Sequence, residues 1–328
     1  MNPLPELVCP AGSPAALRAA VDAGADAVYL GFRDATNARN FPGLNFSRAE
    51  LAEGLAYAHD HDARVFLAVN TFPEAGNPAP WHRAIDDAAA MDVDAVILAD
   101  IGLCDYAARA HPELRRHLSV QASASNPEAI RFYADAFGIR RVVLPRVLTV
   151  DEIAALNAEI RVETEVFVFG GLCVMAEGRC ALSSYVTGES PNTCGVCSPA
   201  SHVRYVDEGD RLVCRLGAFT IDAFDPDEPA GYPTLCKGRF VTGGRAAYLF
   251  EEPTSLDASE VLPQLIAAGV SGLKIEGRQR GRAYIAQVVT AFRQALDAAA
   301  AGNRASVELA GMSEGGRRTH GAYRKAWR

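Results

Sequence analysis

Four of the chain's eight cysteines crowd into residues 171–199, GLCVMAEGRCALSSYVTGESPNTCGVCSP, as Cys173, Cys180, Cys194 and Cys197. Thiols at that density can pair as disulfides, hold zinc, cycle as a redox CxxC, or ligate an iron–sulfur cluster. A four-cysteine zinc site is normally built from two closely spaced pairs, and only Cys194 and Cys197 are so spaced. A redox CxxC opens a helix after a strand, where the helix dipole lowers the thiol pKa; NTCGVCSPASHV instead runs from loop into a hairpin. Iron–sulfur clusters accept wider spacings, because their thiolates come from wrapping loops. The glycines in FGGLC, EGRC and CGVC would let backbone approach the inorganic sulfurs. A fifth thiol, Cys236, lies in the loop-rich segment IDAFDPDEPAGYPTLCKGRFV. Spacing alone favours a cluster over zinc and leaves both open.

Composition narrows the chemistry. The 328 residues are 49% hydrophobic and 22% charged, ample for a folded core. The start MNPLPELVCP lacks a secretory pattern, and no run approaches the roughly 20 apolar residues of a membrane helix. The expected compartment is the cytoplasm, where thiols stay reduced and disulfides are disfavoured, and the chain is not expected to be an integral membrane protein. The formal net charge of −8 argues against general nucleic-acid binding, which draws its affinity from neutralised phosphates.

The elements that must position these cysteines follow from periodicity. Short apolar runs at 6–12, 26–32, 64–72, 95–100, 117–125, 140–147, 165–171 and 271–277 alternate with amphipathic stretches, the pattern of successive βα units. Helix starts are marked by Ser13 before Pro14 and by Ser47 with Glu50 three residues on. Eight such units predict an α/β fold, a (β/α)8 TIM-barrel-like single domain, with an open doubly wound sheet as the alternative. The rhythm breaks after the seventh strand. The expected divisions are barrel units one to seven (1–171), a cysteine-bearing insertion (172–258), a final unit (259–303) and a basic tail (304–328). HVRYVDEGDRLVCRLGAF predicts a β-hairpin, with Cys214 buried in its second arm. Cys9 and Cys104 are expected to be core residues, and the tail a solvated terminus.

An insertion after a barrel strand stands at the C-terminal mouth, where sites in this fold are built. Polar residues ending the strands there are Asn70, Gln121, Ser123, Arg146, Lys274, Glu276 and Arg278, with Tyr29. Asn70, Gln121, Arg146, Lys274 and Arg278 are the candidate substrate-binding residues. Arg146, Lys274 and Glu276 are the catalytic candidates. Lys274 lies inside an apolar strand, so it either pairs with an internal carboxylate or binds substrate, since a lone buried charge costs several kcal/mol.

The opening ELVCPAGSPAALRAAVDAGADAVYLGF, the strand LAVNTF, the run EVFVFGGLCVMAEGRCALSSYVTGESPNTCGVCSPA and the closing SGLKIEGRQR together resemble the family first labelled collagenase-like peptidases, in particular its ubiquinone-biosynthesis members. The likeness covers nearly the whole chain, and the joint pattern C-x6-C-x16-C-x38-C carries its specificity. The resemblance implies a [4Fe–4S] cluster on Cys173, Cys180, Cys197 and Cys236, with Cys194 outside the ligand set. It further implies oxygen-independent hydroxylation of ubiquinone precursors in a heterodimer with a homologous subunit. RNA-hydroxylating relatives use prephenate as oxygen donor, which suggests an anion held by Arg146, Lys274 and Arg278. An RNA-base hydroxylase is the alternative; the acidic charge and the lack of a separate basic C-terminal domain count against it. A non-catalytic electron-transfer or scaffold subunit is another. Proteolysis is not expected: there is no HExxH or G-x-S-x-G, and the His59–His61 pair falls at a helix end.

Overall fold

In the computed structural model, which describes residues 4–303 and 307–325, the eight apolar runs become eight parallel strands. These are β1 (Glu6–Pro10), β2 (Ala27–Gly31), β3 (Arg64–Val69), β4 (Ala95–Leu98), β5 (Arg116–Leu118), β6 (Ile139–Val143), β7 (Glu163–Gly171) and, beyond the insertion, a strand at Gly272–Ile275. That last strand pairs in parallel with both β1 and β7, so the sheet closes into a barrel.

Local sequence explains the surrounding helices α1 (Pro14–Asp22), α2 (Arg48–His59), α3 (Ala79–Ala90), α4 (Ile101–Ala110), α5 (Pro127–Phe137) and α6 (Val150–Glu159). Ser13 caps α1 by accepting from the Ala16 amide. Ser47 and Glu50 form a reciprocal capping box on α2, and Thr149 and Glu152 form another on α6. The main core lies between strands and helices, and Cys9 and Cys104 are buried in it as small apolar residues. A smaller apolar cluster, including Val8, Tyr29, Phe66 and Ile97, fills the barrel interior.

Strand five is shorter than the apolar run predicts. It stops at Leu118 because Ser119 accepts a hydrogen bond from the Gln121 amide, 3.2 Å away, and starts a tight turn. Ser123 then takes a left-handed conformation (φ 53°).

The insertion opens with a short helix, α7 (Leu182–Thr187), and continues into β8 (Val203–Glu208), β9 (Arg211–Leu216) and β10 (Phe219–Phe224). The expected hairpin is thus the first part of a three-stranded antiparallel sheet, with Cys214 buried in β9. A second hairpin pairs β11 (Arg239–Thr242) with β12 (Arg245–Tyr248). Strand β13 (Ser255–Asp257) then runs antiparallel to the end of β7. The chain returns through α8 (Leu262–Ala267) to β14, the Gly272–Ile275 strand, and α9 (Arg282–Ala300).

The tail is not a solvated terminus. Its strand β15 (Arg318–Thr319) pairs with β13. Arg318 meets Asp257 at 3.0 Å, Arg324 meets Glu260 at 2.9 Å, and the buried Tyr323 hydroxyl donates to the Phe167 carbonyl. The tail's cations find carboxylates on the barrel, and its aromatic ring finds the core. Residues 304–306 and 326–328 of the tail lie outside the described residues. No helix among the described residues is long and apolar enough to cross a membrane.

Candidate functional site

The loop after β7 and the loops of the insertion roof the barrel mouth over a cavity of about 1170 Å³. Cys173, Cys180, Cys197 and Cys236 all border it, as does the β9 thiol Cys214, and Cys194 does not. Cys173 follows directly from β7, and α7 fills the interval between Cys180 and Cys194. Cys236 sits in a 3-10 turn, Leu235–Lys237, beyond the three-stranded sheet. All eight cysteines are free thiols.

Hydrogen bonds set the loops in place. The GESPNT segment folds into a turn in which the Cys194 amide donates to the Ser190 carbonyl at 2.8 Å. The Asn192 side chain donates to the Cys180 carbonyl at 2.9 Å, and the Ser183 hydroxyl donates to the Cys197 carbonyl. The Arg39 amide bonds the Gly195 carbonyl at 2.7 Å, which docks the CGVC turn on the loop after β2.

Two of the glycines have a different purpose from the one their motifs suggest. Gly178 of EGRC and Gly195 of CGVC have φ of 74° and 83°. A Cβ on the first would collide with the Gln121 carbonyl, and on the second with the Asn37 carbonyl. Both therefore allow close approach to barrel loops, which is what lets cysteine-bearing segments sit directly on the mouth.

Charged side chains from the strand ends border the same cavity. Lys274 bonds Glu165 at 2.6 Å and lies 3.7 Å from the centre of the Tyr29 ring. Burial lowers its pKa, against the pull of Glu165. Arg146 stacks over Phe167, 3.6 Å from the ring centre, and is paired with Glu177, a residue of the loop between Cys173 and Cys180. Burial raises the Glu177 pKa and outweighs Arg146. Glu276 accepts from the Arg39 guanidinium at 3.2 Å and the Gly171 amide at 3.0 Å. Burial works to raise its pKa, but Arg39, Arg146 and the amide hold it below the usual carboxylate range.

Arg278 differs from the other two candidate cations. It donates to the Asn37 side chain at 2.8 Å and to the Ala38 carbonyl, and no carboxylate pairs with it among the described residues. It is buried, and burial pulls its pKa down to about 10. A buried cation with only neutral partners is costly, and an incoming anion would relieve that cost. Asn70 is occupied differently, accepting from the Ala38 amide at 2.9 Å and donating to Ser119 at 3.2 Å. It braces two loops. Gln121 borders the cavity, while Ser123 holds the Glu177 carbonyl at 2.7 Å.

Sequence reasoning passed over Arg39 and Glu177. Arg39 lies in the loop after β2, so the strand-end rule that selected Asn70 applies to it equally. Glu177 stands between two cysteines, where a carboxylate facing Arg146 has no local signature.

The donor set suits a thiolate-ligated cluster: four cysteines on loops around one cavity. Burial raises the Cys236 pKa to about 12, and the fields of Cys173, Cys197 and Cys180 add to the rise. A cationic centre would relieve that repulsion. The side chains stand apart, however, and among the described residues no three His, Cys, Asp or Glu side chains converge closely enough to hold a single metal ion.

Comparison with known proteins gives a consistent picture. The family model described as peptidase family U32 matches residues 12–325. An uncharacterized protease of Methanocaldococcus jannaschii is 32% identical over 89% of this chain and 65% of its own. The tRNA hydroxylation protein P1 of Bacillus subtilis is 31% identical over 90% of this chain and 63% of its own. The tRNA hydroxylation protein P of Escherichia coli is 32% identical over 95% and 72%. The chain thus spans about two thirds of the length of these relatives.

Proposed function

The chain belongs to peptidase family U32, and from that premise we propose that it is a UbiU-like subunit carrying a [4Fe–4S] cluster. In this reading it hydroxylates ubiquinone precursors without oxygen, in a heterodimer with a homologous UbiV-like subunit, and prephenate donates the oxygen. The observation that carries the reading is the placing of Cys173, Cys180, Cys197 and Cys236 around the one cavity whose floor holds Arg146, Lys274 and Arg278. Relatives named as hydroxylation proteins support a hydroxylase over a protease. Among the described residues no histidine borders the cavity, so a cysteine there lacks the adjacent base of a Cys–His nucleophile.

A cluster held by four thiolates would relay electrons between ring and oxygen donor rather than offer an open iron position. The chain's own residues do the rest. Arg278 attracts the carboxylate of the donor. Lys274, its charge shared with Glu165, adds positive potential at the floor. Glu276 is ionised and holds Arg39, so it orients the rim and does not donate a proton. The apolar wall formed by Tyr29, Ile97 and Phe167 excludes water from a ring substrate.

Anaerobic purification with iron, sulfide and absorption measurements tests the cofactor: four irons and a brown chromophore are expected, and a colourless zinc protein overturns the reading. Cys236→Ala should lose the iron. Arg146→Ala should abolish hydroxylation; because Arg146 also holds Glu177 in the first cysteine loop, its iron content must be measured alongside. A second reading, an RNA-base hydroxylase, draws on the names of the bacterial relatives. Assaying tRNA and ubiquinone-precursor hydroxylation in parallel in a strain deleted for this gene separates the two.

A further inference from the structure

The tail contacts more than the barrel wall. Glu314, just ahead of β15, is paired with Lys237, the residue after Cys236, and also meets Arg280 at 3.2 Å. Its backbone amide donates to the Ser255 hydroxyl at 2.9 Å. Ser255 begins β13, whose register joins it to Gly171 at the end of β7 on one side and to Arg318 of the tail on the other. Cys173 lies two residues beyond Gly171. The tail is thus tied to the root of the first cysteine loop through a β-ladder and to the last cysteine loop through an ion pair.

The ion pair is the tie between the Cys236 turn and the tail. On the insertion side the turn is held by Arg239, which pairs with Asp222 at 2.5 Å and Glu228 at 2.7 Å, and its backbone contributes a long 3.3 Å bond from the Glu251 amide to the Cys236 carbonyl and the 3-10 turn's own bonds. The tip of the β11–β12 hairpin that follows, Val241 to Ala247, is solvent-facing. The Lys237 and Glu314 side chains, by contrast, are 12% and 25% exposed. The tail end of the pair is itself anchored by the buried Tyr323 and by the Arg318–Asp257 contact.

We propose that Glu314 is a positioning residue: through Lys237 it fastens the Cys236 turn over the cavity, making the C-terminal segment a strap that closes the cysteine site. The significance of the strap rests on Cys236 being a cluster ligand, but its existence does not. A single partly buried ion pair can hold such a turn only within a modest free-energy range, so its loss should loosen the turn without unfolding the barrel.

The test is site-resolved alkylation by iodoacetamide of the full chain, without added metal, read by mass spectrometry. Glu314→Gln and Lys237→Met should each speed Cys236 alkylation by about fivefold, while the core thiols Cys9 and Cys104 stay at the wild-type rate. The exchanged pair Lys237→Glu with Glu314→Lys should return Cys236 toward the wild-type rate. Unchanged Cys236 kinetics in both single variants overturn the proposal. So does equal acceleration at Cys9 and Cys104, which would signal general loosening. Iron retained after anaerobic reconstitution forms a separate arm, expected to fall in Glu314→Gln. Failure of the wild-type chain to take up iron would refute the cluster while leaving the alkylation result to decide the strap.

Discussion

The two ends of the barrel carry charge in opposite ways. At the N-terminal end, Arg141 is 1% exposed and meets Glu6 at 2.9 Å, Glu163 at 2.6 Å and Glu165 at 3.3 Å. Glu165 in turn holds Lys274, and Glu163 also holds Arg115 at 2.6 Å. Arg141, Arg115 and Lys274 thus each face a carboxylate from a strand, while Arg116 at the start of β5 is capped by the carbonyls of His111, Leu114 and Phe137. At the mouth, Arg39, Arg146, Glu177 and Arg278 come from loops, burial raises the Glu177 pKa, and Arg278 has no carboxylate partner among the described residues. Saturated charge on strands specifies a fold. Incompletely matched charge on loops, beside four thiols, leaves something for a ligand to complete.

The largest expected effect lies at the closed end. Arg141→Met should cost about 3–5 kcal/mol of unfolding free energy in urea, because it removes the buried cation shared by Glu6, Glu163 and Glu165 and leaves Lys274 as the one remaining partner of the buried Glu165 among the described residues. A loss under about 1 kcal/mol would break the contrast. At the open end, Arg278→Met should lower kcat/KM for the oxygen donor roughly hundredfold with unchanged iron content and little change in melting temperature. A stability loss rivalling that of Arg141→Met would make Arg278 structural instead.

His117 sharpens the comparison through pH. It is buried in β5 with its ring edge-on to Phe66, and Arg115 donates to its Nε2 at 3.0 Å. Burial first, then Arg141, Arg115, Lys274 and Arg64, hold its pKa well below the ordinary 6.5. The unfolded chain accepts a proton near that ordinary value and the folded barrel refuses it, so stability falls as pH drops below 6.5. The expected slope is about 1.4 kcal/mol per pH unit. Urea titrations at pH 6.5 and 5.5 should show it in the wild type, and His117→Gln should flatten it.

The smallest effect is expected at Cys194, whose side chain is only partly buried and does not border the cavity. Cys194→Ala should change stability by less than about 0.5 kcal/mol and leave the iron content at the wild-type level, in contrast to Cys236→Ala. Loss of iron in Cys194→Ala would restore the CGVC pair as a ligand unit.

Much of the fold was legible. All eight barrel strands overlap the apolar runs, and the caps at Ser13 and Ser47 do what their neighbours predict. The limits of the reading are local competitions and distant pairings. Strand five is cut short by the Ser119 turn, where a side-chain hydrogen bond wins over extended propensity. The basic tail reads as solvated in isolation, because its partners Asp257 and Glu260 lie some sixty residues earlier. Lys274 admitted two readings from sequence, and only the closure of the barrel shows Glu165 opposite it.

Periodicity and residue chemistry by themselves determined a βα barrel interrupted after its seventh strand, with thiols and cations directed to its mouth. Those signals are local, set by side-chain alternation along strands and by capping at helix starts. Tertiary structure alone decided which charges are spent on one another. It paired Arg146 with Glu177 and Lys274 with Glu165, left Arg278 with neutral partners, and drew Glu314 to the turn that carries Cys236. A pairing energy depends on the distance and burial of groups far apart in sequence, and those quantities exist only once the chain has closed on itself.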